Sequence, residues 1–450
     1  MLGWLCAAAA LAYVSRNSIA VAESTVRADL GLTKEQSGWL MSAFFFSYAF
    51  CQIPAAQYVQ RAGSRRALTL FAAIWSAATA LMAFTGTAAG LVATRLVQGI
   101  SQAGLVPAAT VTVAKWFPKT GRAFATGSLG SAMSVGGATC AWLTGVLIEW
   151  LDPWTGPGWN WRLTFLIFAL PGFFWAAWFW RWFRNEPAEH PEVSETELRL
   201  IREDASKPAA SAPASVSASP VAGGGVANAR ATTPWISLLS SPALWWICGQ
   251  QAFRAAGYIF FTSWFATYLQ ETRGVGVATS GFLNMLPLLA VVLGGVLGGA
   301  LSDRLLKLTG RRDVARRWLA AGCLFVCAGL TFWALVLDNA LAAVVVISLG
   351  SLFAALAAPC AYTITIDMGG DHVATINATM NMMGNLGAWA FPIAVPWLLG
   401  RFGSWDVVVL VFGALHAAAA VFWLLLKPEG TILDQAIIRS NHRPPPAHPA

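Results

Sequence analysis

Long apolar windows recur along the chain, separated by short polar breaks. Twelve can be delimited: about 2–23, 36–58, 66–87, 89–114, 122–149, 162–183, 241–269, 278–302, 315–337, 339–364, 373–399 and 404–426. A helix rises 1.5 Å per residue, so roughly 20 apolar residues cross the hydrocarbon core of a bilayer. The pattern therefore predicts an all-α membrane protein with twelve transmembrane helices. The first window begins at Leu2 and others follow it. It is expected to stay in the chain as a span and not to be a cleaved signal peptide, although a misassigned start is compatible with the same pattern.

The longest polar stretch divides the windows six and six. Its charged opening, Glu186 to Lys207, is expected to form a helix lying on the membrane surface, and the following PAASAPASVSASPVAGGGVANA reads as a flexible linker. The expected organisation is residues 1–183 as an N-terminal six-helix bundle, 184–239 as a cytoplasmic linker, 240–427 as a C-terminal six-helix bundle, and 428–450 as a disordered cytoplasmic tail ending in RPPPAHPA.

Composition strengthens this picture. Of 450 residues 57% are hydrophobic and 11% charged, where a soluble domain carries about 25% charged residues. The solvent for most of the chain is lipid, and a disordered, collagenous or disulfide-framework protein is excluded. The net charge of +8 would raise nucleic acid as a partner, but its placement gives another explanation. Arg61, Arg65 and Arg66 follow span two; Lys115, Lys119 and Arg122 follow span four; Arg304, Lys307, Arg311, Arg312, Arg316 and Arg317 follow span eight. The alternate loops hold fewer, mainly Arg27, Lys34, Arg162, Arg273 and Arg401. The positive-inside rule then predicts an inner-membrane protein with both termini cytoplasmic and no nucleic-acid partner. The seven cysteines lie in apolar stretches without zinc spacing and read as small core residues.

The two halves share a loop. AAQYVQRAGSRR follows span two and GALSDRLLKLTGRR follows span eight. The second copy sets Gly299, Asp303 and Arg304 before the paired Arg311 and Arg312. The first keeps Arg61, Gly63, Arg65 and Arg66 but has Ala56 and Gln60 in place of the glycine and the acid. With RLVQG at Arg95–Gly99, this organisation over residues 1–427 resembles the major facilitator superfamily. YVSRN (Tyr13–Asn17), SAFFFSYAFCQIP (Ser42–Pro54), WFPKTGRAFATG (Trp116–Gly127), WRLTF, SWFATYL (Ser263–Leu269) and MGNLG (Met383–Gly387) are most similar to its anion:cation symporters, which carry sugar acids and other organic anions. The resemblance implies a monomer whose two bundles rock about a midplane site, with Arg61, Gly63, Arg65, Asp303 and Arg304 acting in gating. The small-residue runs GSLGSAMSVGG and GGVLGGA suit close, sliding helices.

Charges inside spans point to chemistry, since a charge at the bilayer centre costs about 2.5–3.5 kcal/mol on insertion scales. Arg16, Arg95 and Arg254 qualify, and arginine suits a carboxylate or phosphate because its planar fork donates two parallel hydrogen bonds. For Arg16 the resemblance implies contact with a substrate carboxylate; a snorkelling arginine is the alternative. For Arg95 the alternative is coupling or packing. Arg254 has no sugar-acid counterpart, but organophosphate:phosphate antiporters carry an arginine near Tyr258. No Asp or Glu is expected in a span interior: related symporters have an Asp where Ser15 stands and a Glu where Gln102 stands. His416 in span twelve is the remaining titratable group, read as a satisfied histidine. Tyr13, Tyr48, Gln52, Gln102, Tyr258, Asn381 and Asn385 are expected to shape the binding site, with Asn377, Asn381 and Asn385 forming one helical stripe. No phosphate loop, metal cluster or activated nucleophile is found, so neither an enzyme nor a cofactor is expected. The function expected is secondary transport of a small organic anion without the usual carboxylate-based proton coupling. An organophosphate:phosphate antiporter and a non-transporting sensor of the same fold remain open.

Overall fold

A computed structural model describes residues 1–156, 158–206 and 235–433, and among the described residues it contains helices and no strand. Ten helices are long and apolar enough to cross a membrane. Two features explain why ten helices account for twelve spans. Spans two and three run together as α2 (Lys34–Met82), interrupted only at Gly63 with φ 78° and ψ 157°. Span seven is broken into α9 (Pro242–Ile259) and α10 (Phe265–Arg273), and neither piece passes alone.

The N-terminal half consists of α1 (Leu2–Leu30), α2, α3 (Ala88–Gln102), α4 (Leu105–Trp116), α5 (Lys119–Leu151) and α6 (Trp159–Trp182). Span four breaks at Ala103–Gly104, where the ring of Phe71 lies 1.9 Å from where a glycine Cβ would stand. Gly104 therefore lets α2 pack into the bend. From the polar stretch, α7 (Glu195–Ser206) and α8 (Trp235–Ser240) are helical. The linker at 207–234 and the tail at 434–450 lie outside the described residues. The C-terminal half consists of α9, α10, α11 (Val277–Thr309), α12 (Leu319–Ala334), α13 (Ala340–Leu356), α14 (Ala358–Gly369), α15 (Val373–Phe402) and α16 (Trp405–Leu425). A π-helical turn, Asp313–Trp318, leads into α12, and span ten breaks at Ala357 just before Pro359.

Within the first half α1 packs on α5 and α2 on α3 and α6. Within the second, α9 packs on α15 and α11 on α13. The halves meet along α5–α11 and α2–α15. Glycines set both seams. A Cβ on Gly281 would come within 2.4 Å of the Ala141 carbonyl oxygen, and one on Gly38 within 2.7 Å of the Pro392 oxygen. Outward-facing side chains are large and apolar, Phe174, Trp178, Leu293 and Val336 among them, which is a surface made for lipid.

The inter-half hydrogen bonds cluster at the end opposite the basic loops. Arg27 and Lys34 reach Glu271, Thr267 reaches Glu23, and the Ala278 N–H donates to Glu149. The Ser42 hydroxyl donates to the Trp389 carbonyl at 2.7 Å. Toward the basic-loop end the contact thins to Asn381 Nδ2 and Gln52 Oε1, 3.4 Å apart. The molecule is closed at the first end.

Candidate functional site

Arg16 is in the middle of α1, and aromatic residues surround it. Its guanidinium carbon lies 5.1 Å from the Tyr13 ring centre, 4.5 Å from Phe44, 4.8 Å from Phe45 and 5.7 Å from Tyr48. Tyr13 is one turn back on the same helix face, and the other three rings come from one stretch of α2. The cation is attracted to the ring faces, yet among the described residues no carboxylate pairs with it.

Arg95 and Gln102 are placed differently. Arg95 is 2% exposed, and its Nη1 donates to the Arg16 carbonyl oxygen at 3.0 Å and to Gln98 Oε1 at 2.6 Å. Gln98 in turn donates to the Ser15 carbonyl and to Thr79. Gln102 donates to the Ala12 carbonyl at 3.0 Å and to the Ser15 hydroxyl at 3.2 Å. These side chains tie α3 to the backbone of α1 directly behind Arg16. Expected as ligand contacts, Arg95 and Gln102 instead turn toward α1, whose carbonyl groups accept from Arg95 Nη1 and Gln102 Nε2, while Arg95 Nε has no partner among the described residues.

From the second half come Arg254, Gln251 and Tyr258 on α9, Tyr362 on α14, and Asn381 and Asn385 on α15. Arg254 Nη2 donates to Gln251 Oε1 at 2.8 Å. Tyr258 lies one turn after Arg254 on α9, within electrostatic reach of Tyr13, Arg16 and Arg254. The asparagine stripe faces inward: Asn381 approaches Gln52, and Asn385 donates to the Asn381 carbonyl at 3.0 Å. Gly384 and Gly387 let α15 approach Gln251 and Ala252 closely. Tyr362 was not anticipated. A tyrosine in the run APCAYTITIDMG is unremarkable by hydropathy, and only the break before Pro359 aims it inward.

The expectation that spans lack acids needs correction. The first helix continues seven residues past its apolar window, to Leu30, and carries Glu23 in a fully enclosed position, 1% exposed. Glu23 accepts from Arg27 Nε at 2.8 Å and from the Thr267 hydroxyl of the other half at 2.7 Å. Glu271 accepts from Arg27 at 2.8 Å, Lys34 at 2.6 Å and Trp405 Nε1 at 2.9 Å. Burial pushes the Glu271 carboxyl up, but the Lys34 and Trp405 hydrogen bonds and the charges of Lys34 and Arg27 outweigh it, so the group is held below the ordinary value. Both carboxylates serve the closure and lie apart from Arg16. His416 is buried, with Nδ1 2.9 Å from the Phe412 carbonyl, and packs over Gly257.

The two shared loops work unequally. In the second, Arg316 is 3% exposed and lies 3.5 Å from Asp303 and 3.4 Å from Asp367. Arg304, expected to act there, is exposed, and the π-helical turn delivers Arg316 instead. In the first copy, which lacks the acid, Arg65 donates to the Trp180 carbonyl and its N–H to Asn185. Gly63 takes a positive φ with the Asn185 amide against it, and Arg61 is exposed.

Comparison with known proteins agrees with this architecture. A family pattern described as Major Facilitator Superfamily matches residues 5–388. The chain is 30% identical over 438 residues to a probable sulfoacetate transporter of Cupriavidus necator, covering 96% of this chain and 94% of that one. It is 28% identical to a probable galactarate/D-glucarate transporter of Bacillus subtilis, covering 92% and 88% of the two chains. It is 31% identical to a D-galactonate transporter of Escherichia coli, over 66% and 65%. Among solved structures, a bacterial homologue of the human lysosomal transporter Spinster, inward-facing and occupied, aligns with a TM-score of 0.68 at 18% identity, over 99% of this chain and 98% of that one.

Proposed function

Because this chain belongs to the Major Facilitator Superfamily, a family of membrane transporters and not of enzymes, we propose that it carries a small organic anion by alternating access, with Arg16 as the anchor for a carboxylate. One observation carries this reading. A guanidinium sits near the middle of a transmembrane helix, held by four aromatic rings and free of any acid among the described residues. A charge kept there at such cost needs a use, and a bidentate anion is the ligand its geometry suits. The relatives named for sulfoacetate, galactarate and galactonate support the same class, since each of those compounds carries a carboxylate. They also favour the organic acid over an organophosphate.

In this reading Arg95, Gln98 and Gln102 are positioning residues that fix the backbone of α1, while Tyr13, Tyr48, Gln52, Tyr258, Asn381 and Asn385 contact the substrate. The two bundles, 1–183 and 240–427, rock about this centre, and the basic-loop end, with both termini, faces the cytoplasm. The closed end is then the outer one, so the conformation is inward-facing.

Neither Ser15 nor Gln102 can exchange a proton near neutral pH, and both are engaged in hydrogen bonds within the first half. Transport is therefore facilitated diffusion or anion exchange, not proton symport through those positions. The test is uptake of a labelled organic acid into proteoliposomes with an imposed inward proton gradient and the membrane potential clamped. We expect saturable uptake that equilibrates and ignores a protonophore. Accumulation above equilibrium that collapses with the protonophore would overturn the coupling scheme and direct attention to Glu23.

A further inference from the structure

We infer that the substrate is a dianion whose second anionic group is held by Arg254, Tyr362 and Gln251, so that the ligand bridges the two halves. This rests on the reading of Arg16 as the first anchor. Arg254 is 9% exposed and Tyr362 is 7% exposed. The Arg254 Nε and the Tyr362 hydroxyl both lack a hydrogen-bond partner among the described residues. Gln251 occupies only Nη2 of the guanidinium.

An arginine enclosed to this degree normally has a counter-charge. Among the described residues none pairs with it. Tyr362 lies within electrostatic reach of Arg254 and also of Tyr13 and Tyr48 from the first half. Tyr258 reaches Arg16 and Arg254 together. Arg95 also lacks an acid but spends its Nη1 on the Arg16 carbonyl and Gln98, whereas Arg16 and Arg254, one from each half, make no such bond to the backbone of the described residues. A ligand with two negative groups offers a counter-charge to each of these two. The neutral donors beside Arg254 suit oxyanions, whether carboxylate or sulfonate.

The arrangement also links recognition to movement. A monoanion on Arg16 leaves Arg254 without a counter-charge, whereas a dianion joins α1 to α9 and α14 through charged groups and draws the halves together. Discrimination should therefore appear in binding and, more strongly, in transport.

The experiment compares matched pairs, acetate against sulfoacetate and galactonate against galactarate, by calorimetry on the purified full-length protein in nanodiscs. We expect the dianion of each pair to bind about tenfold more tightly or better. In Arg254→Gln that advantage should fall to about twofold or less while monoanion binding persists. Should that variant not fold, Tyr362→Phe keeps the charge and the packing and should reduce the dianion's advantage several-fold on its own. Equal binding of mono- and dianions by the wild type, or an advantage that survives in both variants, overturns the second anchor and leaves the Arg16 site standing. Binding of no anion in either pair overturns the Arg16 reading, and the dianion with it.

Discussion

Arg16 is stabilised by ring faces, which would accept any cation, so the role of its fork can be separated from the role of its charge. Lysine keeps the charge and loses the paired donors. Arg16→Lys should therefore impair transport nearly as severely as Arg16→Ala, with both well over tenfold below wild type in initial uptake rate at equal membrane expression. A lysine variant with near-normal rate and affinity would mean that no planar anion is gripped there. Arg95 behaves differently because its Nη1 already donates to the Arg16 carbonyl and to Gln98. Arg95→Gln should cost about 1–3 kcal/mol of stability by leaving the Arg16 carbonyl and Gln98 without their donor, read as a fall in the thermal midpoint of the purified protein. All three membrane arginines were legible in the sequence, since a guanidinium in an apolar window is conspicuous. Their partners were not. Whether an arginine meets a backbone carbonyl, as Arg95 does, or ring faces, as Arg16 does, depends on helix packing. Tyr362 carried no signal at all, and Glu23 was passed over because hydropathy marks the end of a window and not the end of a helix.

The helices themselves were legible as twelve apolar windows, and the division into two sixes followed from one polar stretch. The breaks were less visible. Spans four, seven and ten each bend within their windows, where glycine, proline and a ring such as Phe71 decide the geometry while average hydropathy is unchanged. Two glycines make this testable. Gly63 holds φ at 78° and ψ at 157° against the Asn185 amide, so Gly63→Ala should destabilise the basic-loop end by about 1–3 kcal/mol from this glycine-only backbone conformation alone, measured by thermal unfolding. Gly281 lies against the Ala141 carbonyl at the α5–α11 seam. Gly281→Val should keep the seam from closing, and a single cysteine placed on its Ala278 side should then label faster from the end opposite the basic loops. Unchanged labelling would show that α5 and α11 can separate without consequence for closure.

The whole molecule is held shut at one end by a shared set of charges, in which Arg27 serves both Glu23 and Glu271 and Lys34 serves Glu271. Arg162 with Asp29 on the same half and Glu149 on the Ala278 N–H complete the charged groups around it. The Glu271 carboxyl is held below its ordinary value of 4.5, so its contribution to closure is complete above that pH and fades as pH falls through the lowered value. Glu271→Gln should loosen the closure by roughly 1–2 kcal/mol at neutral pH, seen as a greater share of molecules labelled from that end and as a weaker response to acid. No hydropathy or motif argument exposed this network, because its members come from four separated segments. The central claim is that the molecule moves organic anions through the Arg16 site, and counterflow measures it most directly. Proteoliposomes loaded with unlabelled organic acid are diluted into a trace of the labelled compound, with no ion gradient. The account predicts a transient overshoot of label inside vesicles holding the wild-type protein, abolished in Arg16→Lys. An overshoot of equal height in both, or none in the wild type with any mono- or dianionic organic acid, would contradict it.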